Sequence, residues 1–404
     1  MFNLIKQDYI ALHHIGSRGG SRSFPHNTFF EFEMINVLYD ADPDCLKQVK
    51  EVNQSLQSEL KIYPYCISNK KETVNFFKTY DPNLSSFFKP KKLSLDYYYF
   101  SHAGYDYSFN ETSKIEEVVN LETTTLDLLM NEYKSEFFMP DFISLDTQGS
   151  ELEILDGSPV CTDNALAVVL ETEFLEFYEG QPCFEDVLKS MKNKGFDFIR
   201  FTNIAEQNCY RYPIELRSSG RLTDADALFI RSPEFIENTN RFNAISFYKL
   251  AFIYLSFDML EPALECIRKI DKNWELSNNR EYFKFLNKLY ISSKQYGLYP
   301  KTFSDIFSAE QSKLRYSSNV QKPSSVRLFF KNLGPLTKII KALINILIVL
   351  RKALLNLIRS IAFTNKLKKN EIEVLLEENG FNSLSKLVYD NRIKFIKSSS
   401  SLAK

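Results

Sequence analysis

Over roughly the first 235 residues, short apolar runs alternate with stretches in which apolar positions recur at helical spacing. The runs predict strands at Tyr9–Ile15, Ile35–Tyr39, Lys61–Ile67, Asp141–Asp146, Ala165–Glu171, Phe196–Phe201 and Ala227–Arg231. Helical spacing falls between several of them, at Pro43–Leu56, Ser150–Leu155 and Phe184–Lys194. Strands alternating with helices predict an α/β fold whose sheet is mostly parallel, with helices on both faces. Ser85–Ser113 fits neither period. It reads as a tyrosine-rich excursion from the sheet, either covering a site or packing as a surface loop.

The pattern then changes. Residues 240–310 are helical throughout, and AISFYKLAFIYLSF and LEPALECIRKID predict a helix pair. Leu250, Ala251, Tyr254 and Ala263 fit a single tetratricopeptide-like repeat, although small residues at a helix crossing explain them as well. Residues 311–404 form a third region, a basic and apolar helical tail. No Asp or Glu occurs from Gln311 to Asn370, while Lys and Arg recur throughout. Within it, residues 336–363 predict a helix about 40 Å long. Lys338, Lys341, Asn345, Lys352, Asn356 and Arg359 fall on one stripe of that helix. Charges recur too often for a spanning segment. The stripe suits burial against protein or a position in a membrane interface, with the basic residues toward lipid phosphates. Its aliphatic rather than aromatic interleaving argues against a nucleic-acid partner.

Composition narrows the chemistry. The net charge is -1, the six cysteines form no C-x-x-C pair, and the four histidines are scattered. A disulfide framework or a zinc centre is therefore not expected. The N-terminal residues carry no secretory-signal pattern, so a cytoplasmic location is expected, with peripheral membrane contact through 336–363 as an addition.

The motifs sit at strand ends. IALHHIGSRGG places Gly16, Gly19 and Gly20 directly after the first predicted strand, where glycine permits a sharp turn and close approach to a ligand. About twenty residues later, NVLYDADPD places Asp40 and Asp42 at the end of the second strand. A carboxylate there accepts hydrogen bonds from a ribose, and an Asp before Pro also caps a helix. Ser68 and Asn69 end the third strand, where a side-chain amide reads an adenine or simply makes a turn. FISLDTQGSELEILDG combines a strand, Asp146 at its tip, Gly149 for a turn, and Ser150 as a cap before Glu151 and Glu153. ALAVVLETEF ends the next strand near Glu171. Ligands of open α/β sheets bind outside the carboxyl ends of the strands, so these residues converge on one site. The pattern predicts a ribose-bearing cofactor without separating nicotinamide cofactors from S-adenosylmethionine.

DTQGSELEILDG, followed by VVLETEFLEFYEGQPCFEDVLKSMKNKGFDFIRF, resembles the FkbM-type methyltransferase family. The matching positions are Asp146, Gly149, Glu151, Glu171, Glu173, Tyr178, Gly180, Gln181, Gly195 and Phe196, and the resemblance spans residues 8–235. Two positions depart from the family pattern: His14 stands where an acidic residue is usual, and Asp40 where Glu is usual. The resemblance implies a Rossmann-like class I methyltransferase sheet, followed by an all-α C-terminal region that it does not cover. It implies S-adenosylmethionine as cofactor, with Gly16, Gly19, Asp40, Ser68 and Asn69 around it. It also implies O-methylation of a hydroxyl on a sugar, glycan or related small molecule.

A hydroxyl acceptor must lose a proton, and carboxylates are the available bases: Asp146 first, Glu171 second. A divalent cation between the two is a further option. Glu151 and Glu173 read instead as helix N-terminal charge and a solvated face. The competing reading is a scaffold or membrane-docking protein that keeps the fold without catalysis, and His14 is the feature that favours it.

Overall fold

The computed structural model describes residues 8–16, 23–41, 58–100, 106–209, 219–239, 242–270, 280–295 and 369–401. Twelve strands run in chain order: β1 (Ile10–Ile15), β2 (Met34–Tyr39), β3 (Glu59–Tyr63), β4 (Cys66–Ile67), β5 (Thr73–Thr79), β6 (Tyr98–Phe100), β7 (Asp106–Ser108), β8 (Ile115–Thr124), β9 (Phe142–Leu145), β10 (Ala167–Glu173), β11 (Asp197–Gln207) and β12 (Arg221–Ile230). The helices are α1 (Phe109–Thr112), α2 (Leu126–Tyr133), α3 (Glu151–Gly157), α4 (Pro159–Asn164), α5 (Phe184–Asn193), α6 (Pro233–Asn238), α7 (Ala244–Ser256), α8 (Leu260–Arg268), α9 (Glu281–Gln295), α10 (Glu371–Glu378) and α11 (Asn382–Ser401).

Seven strands form the main sheet in the order β11-β12-β10-β9-β1-β2-β3. The pairs from β10 through β9, β1 and β2 to β3 are parallel, and β12 is antiparallel to both β10 and β11. From β1 the chain builds outward through β2 and β3, then returns to place β9 on the other side. The strand order therefore switches between β1 and β9, which opens a crevice at their carboxyl ends. IALHHI and MINVLY are buried at every position. That is why the central strands read as continuous apolar runs rather than as alternation.

The two faces of the sheet are covered differently. Ala11, Ile15, Ile35, Val37, Ile143 and Val168 pack with Leu126 and Leu129 of α2, Ile154 and Leu155 of α3, and Val187 and Met191 of α5. On the opposite face Phe142 packs edge-on against Phe24 and stacks with Phe257, just past α7, and Phe30 meets Phe252 of α7. Part of the helical region after residue 240 thus covers the second face. Residues 1–290, with 379–381, form one compact unit, and residues 291–378 with 382–404 form another. In the second unit Arg392 grips the buried Glu373 through two bonds of 2.6 and 2.8 Å, joining α11 to α10. The predicted helices 43–56 and 336–363 lie outside the described residues. Among the described residues no helix is long and apolar enough to cross a membrane.

Three details differ from the sequence expectation. The single strand expected at Lys61–Ile67 is two: β3 joins the main sheet, and after Pro64, which has no N–H to donate, β4 pairs with β8 instead. The antiparallel pair β5 and β8 was not anticipated. Neither face of this pair is fully covered, and Val118 is exposed, so its alternation is weak. The last two strands are longer than expected and form a hairpin extending to Gln207 and Arg221.

Buried ionic contacts hold this unit together. Arg231, fully buried, donates to the carbonyls of Ala165 (2.8 Å), Lys194 (2.7 Å) and Thr162 (3.2 Å). One guanidinium thus satisfies carbonyls at the ends of α4 and α5 that those helices cannot satisfy themselves. Asp141 accepts from the Ala11 N–H at 2.8 Å and from Lys249 of α7 at 2.8 and 2.9 Å. Burial raises the Asp141 pKa, and Lys249 opposes that rise. Removing one partner of a buried pair leaves an unpaired buried charge, which costs about 3–5 kcal/mol. Lys249→Met is therefore expected to lower unfolding free energy in urea by about that amount, and adding Asp141→Asn should restore much of it. Additive losses in the double variant would contradict this coupling.

Candidate active site

Gly16 ends β1 with φ +78°, and its N–H reaches the Tyr39 carbonyl at 3.1 Å. A Cβ there would lie 1.8 Å from the Asp146 carbonyl oxygen, so only glycine lets the β1 and β9 ends approach this closely. Asp40 follows β2, and its N–H points to the Tyr63 carbonyl at 3.3 Å. Both residues line a cavity of about 440 Å³ at the crevice between β1 and β9. Gly19 and Asp42 lie outside the described residues.

Ser68 and Asn69 require a correction: they do not line this cavity. The Ser68 N–H is committed to the Thr124 carbonyl at 2.8 Å, and the Asn69 backbone presses on Gly157, where a Cβ would come within 2.3 Å of the Asn69 Cα. Tyr65, Cys66 and Ile67 form the wall instead. The shift follows from the break at Pro64, since the main-sheet strand ends at Tyr63, four residues before the expected end at Ile67. His14 is buried, with its ring centroid 6.2 Å from that of Phe142, and is also not part of the lining. Its neighbour His13 faces the other side. The His13 Nε2–H donates to the Phe138 carbonyl (2.9 Å), and Nδ1 accepts from the hydroxyl of Tyr39 (3.2 Å), which itself lines the cavity. Burial pulls the His13 pKa down to about 3, so the ring stays neutral in a fixed tautomer.

The turn after β9 is built around side-chain acceptors. Gln148 and Gly149 both take positive φ, +57° and +107°. Ser150 does not cap α3. The Glu151 carboxylate reaches back instead, accepting from the Thr147 N–H (2.7 Å), the Thr147 hydroxyl (2.9 Å) and the Gly149 N–H (3.0 Å). Glu151 and Glu173 are both buried, which corrects the solvated-face reading. Asp146 is exposed and lines the cavity. Gln148 stands between the two predicted bases: its amide donates to Asp146 (3.1 Å) and to Glu171 (2.5 Å), and its carbonyl oxygen accepts from the Tyr178 hydroxyl (3.0 Å). Among the described residues no group of three or more His, Cys, Asp or Glu is placed to hold a metal ion. The Gln148 amide bridges Asp146 and Glu171.

The far wall comes from the stretch after β5. Ser86 donates to the Gln148 carbonyl (2.7 Å), and the Tyr178 hydroxyl also reaches the Leu84 carbonyl (3.0 Å). Backbone bonds from Lys91 to Phe177 and from Glu179 to Lys89 clamp the same wall. Ser85, Phe87 and Phe109 line the cavity, so part of the predicted excursion does cover the site, whereas its tyrosines 97 and 98 do not.

Asp40, Asp81, Asp146, Glu171, Glu173 and Asp224 line the cavity, and no Lys, Arg or His stands among its described lining residues. Burial raises the pKa of Glu171 well above the usual carboxyl range, and the neighbouring Asp146, Glu173 and Asp224 add to it. Burial also raises Glu173, with Glu151 adding to the effect, and raises Asp224. Sequence reasoning missed Gln148, Asp224 and the part of the wall at 81–84. The one available signal was register: Glu173 pairs with Asp224, and Glu171 with Asp226, across antiparallel strands.

Residues 23–198 match the family model described as the methyltransferase FkbM domain, so the resemblance read from the motif order holds over that span. Three solved structures are similar at low identity. Magnesium protoporphyrin IX methyltransferase from Synechocystis PCC 6803, with bound SAM, is 10% identical over 56% of this chain and 72% of that one, with TM-score 0.29. Precorrin-6y C5,15-methyltransferase from Geobacter metallireducens GS-15 is 10% identical over 56% and 82%, with TM-score 0.26. A SAM-dependent methyltransferase from Methanosarcina mazei is 8% identical over 55% and 93%, with TM-score 0.24. Comparison with curated proteins finds no match.

The acidic cluster predicts a pH dependence of stability. Burial first, and then Asp146, push the Asp226 pKa from 3.8 to about 6. A raised carboxyl pKa means that the folded state binds the proton more tightly than the unfolded state. Stability therefore falls as pH rises between those two values. Urea midpoints measured from pH 4 to 6 should show a shallower fall in Asp226→Asn than in the parent. An unchanged slope would contradict the assignment.

Proposed function

We propose that the N-terminal unit uses S-adenosylmethionine to methylate a hydroxyl group on a sugar, a glycan or a related small molecule. The observation that carries this reading is one cavity at the β1/β9 crevice that has Gly16 and Asp40 on one side and Asp146 and Glu171 on the other. The FkbM match over the same span supports it. The lining also favours this cofactor over a dinucleotide. Six carboxylates with no cation among the described lining residues suit a positively charged sulfonium and repel a pyrophosphate.

The residues fit the cofactor by position. Asp40, at the tip of β2, is placed to accept from ribose hydroxyls, and Gly16 brings the backbone close without a Cβ in the way. When bound there, held by Gly16 and Asp40, the cofactor would supply a methyl group carried on a cationic sulfur. The protein aligns the acceptor and removes its proton. Asp146, exposed in the cavity, is the carboxylate that takes it. Phe87, Phe109 and Phe177 give the acceptor an apolar wall to lie against.

Calorimetry with the full chain is expected to show S-adenosylmethionine binding, and no binding by a folded chain would defeat the reading. Asp40→Ala should weaken that binding at least tenfold, about 1.4 kcal/mol. Asp146→Asn should leave it nearly intact and instead reduce label transfer from the cofactor to a cell extract by about 10²–10⁴-fold. Equal losses in both assays for both variants would contradict this division of roles.

A further inference from the structure

Gln148 is a residue other than glycine held in the left-handed region, at φ +57°. Such a conformation persists where the surroundings hold it in place. Here both ends of the residue are held. The backbone carbonyl accepts from Ser86, and the side-chain oxygen accepts from Tyr178. The Tyr178 bond also fixes which way the amide points, since two carboxylates accept the hydrogens on the nitrogen side. Asp146 is exposed and Glu171 half-buried, yet one amide nitrogen reaches both.

We propose that Gln148 is a positioning residue that holds Asp146 and Glu171 as a pair carrying one proton, so that the Asp146 carboxylate faces the cavity as the free acceptor. The role of base rests on the methyl-transfer reading above; the paired geometry does not. Among the described residues, the carboxylates acting on the pair all have the same charge sign: Glu173 on the same strand as Glu171, Asp224 and Asp226 on β12, and Glu151 on α3. Two full charges on the pair would add to that repulsion. One proton relieves it, and burial together with the Asp146 charge places that proton on Glu171. The amide donates to the charged form, so it limits how far the pair resists ionising. Without Gln148 the two carboxyls lose their common anchor, and the proton is held more tightly.

Infrared titration of the carboxyl stretch in the full chain tests this, with no cofactor or acceptor present. The parent should show two buried carboxyls that stay protonated well above the ordinary range, one at Glu173 and one at Glu171. Glu171→Gln should remove the Glu171 signal, and Asp146→Asn should lower its midpoint by about one pH unit by removing the like charge. Gln148→Leu should raise the midpoint by about one unit. Tyr178→Phe, which frees the amide to turn, should move it in the same direction and serves if Gln148→Leu does not fold. A purely structural Gln148 would lower the melting temperature in these variants and leave the midpoint where it was, which would overturn the proposal. An undiminished signal in Glu171→Gln, with both carboxyls still present, would also overturn it. A chain that passes this titration but fails to bind S-adenosylmethionine loses the functional reading and keeps the pair; the reverse outcome loses only the pair.

Discussion

Gathering carboxylates where the carboxyl ends of β9 and β10 meet the amino-terminal half of β12, with no cation among the described residues lining the cavity, is the constraint around which the rest of the site is arranged. Buried negative charge without a partner is costly, and it is relieved by hydrogen-bond donors or by protonation. Both remedies are visible. Glu151 takes two backbone N–H groups and a hydroxyl from the turn it follows. Asp224 accepts from the Thr223 hydroxyl at 2.9 Å, and Glu171 accepts from Gln148. Burial and like charge do the remainder by raising the pKa values of Glu171 and Glu173. The positive-φ turn at 148–149 is what aims the donors correctly.

Strand β9 shows the same chemistry solved in opposite ways at its two ends. It has only four residues, with Asp141 before it and Asp146 after it. Asp141 is sealed by Lys249 and the Ala11 N–H, which turns a buried charge into a bond between the sheet and α7. Asp146 faces the cavity, and no Lys or Arg stands with it among the described lining residues. In a parallel sheet the carboxyl ends form the ligand crevice, so the amino end is free to be closed by an ion pair while the other end stays available. The neutral, doubly bonded His13 beside them adds a rigid polar contact to Tyr39 without introducing charge.

Much of the sheet was legible because its central strands are buried on both faces, and such strands announce themselves as apolar runs. The same logic explains what was not. Strands β5 and β8 lie partly in solvent, with Val118 exposed and Glu116 and Glu117 among their residues, so neither a run nor a clean alternation marks them. The cavity lining was legible at Gly16, Asp40, Asp146 and Glu171, each at or near a strand end that the pattern located. Ser68 and Asn69 were misplaced because the break at Pro64 moves the chain off the sheet before them. Glu173 was misread because a carboxylate near a strand end looks solvated until its antiparallel partner, Asp224, is known. Asp224 itself lies about fifty residues away in sequence, and only the register joins the two.

Gln148 was the least legible residue, for a physical reason. Between an aspartate and a glycine, a glutamine predicts nothing more than a polar turn. Its significance depends on four partners that come from four different places: Ser86 from the wall, Asp146 from β9, Glu171 from β10 and Tyr178 from the loop after it. The wall and the carboxylate pair therefore meet at one residue, the wall at its backbone carbonyl and the carboxylates at its side-chain amide. Any displacement of the 84–88 segment must stretch a bond to Gln148, or to the Tyr178 that orients it, before it can open the cavity. Holding the wall in place and setting the geometry of the acidic pair therefore fall to one residue.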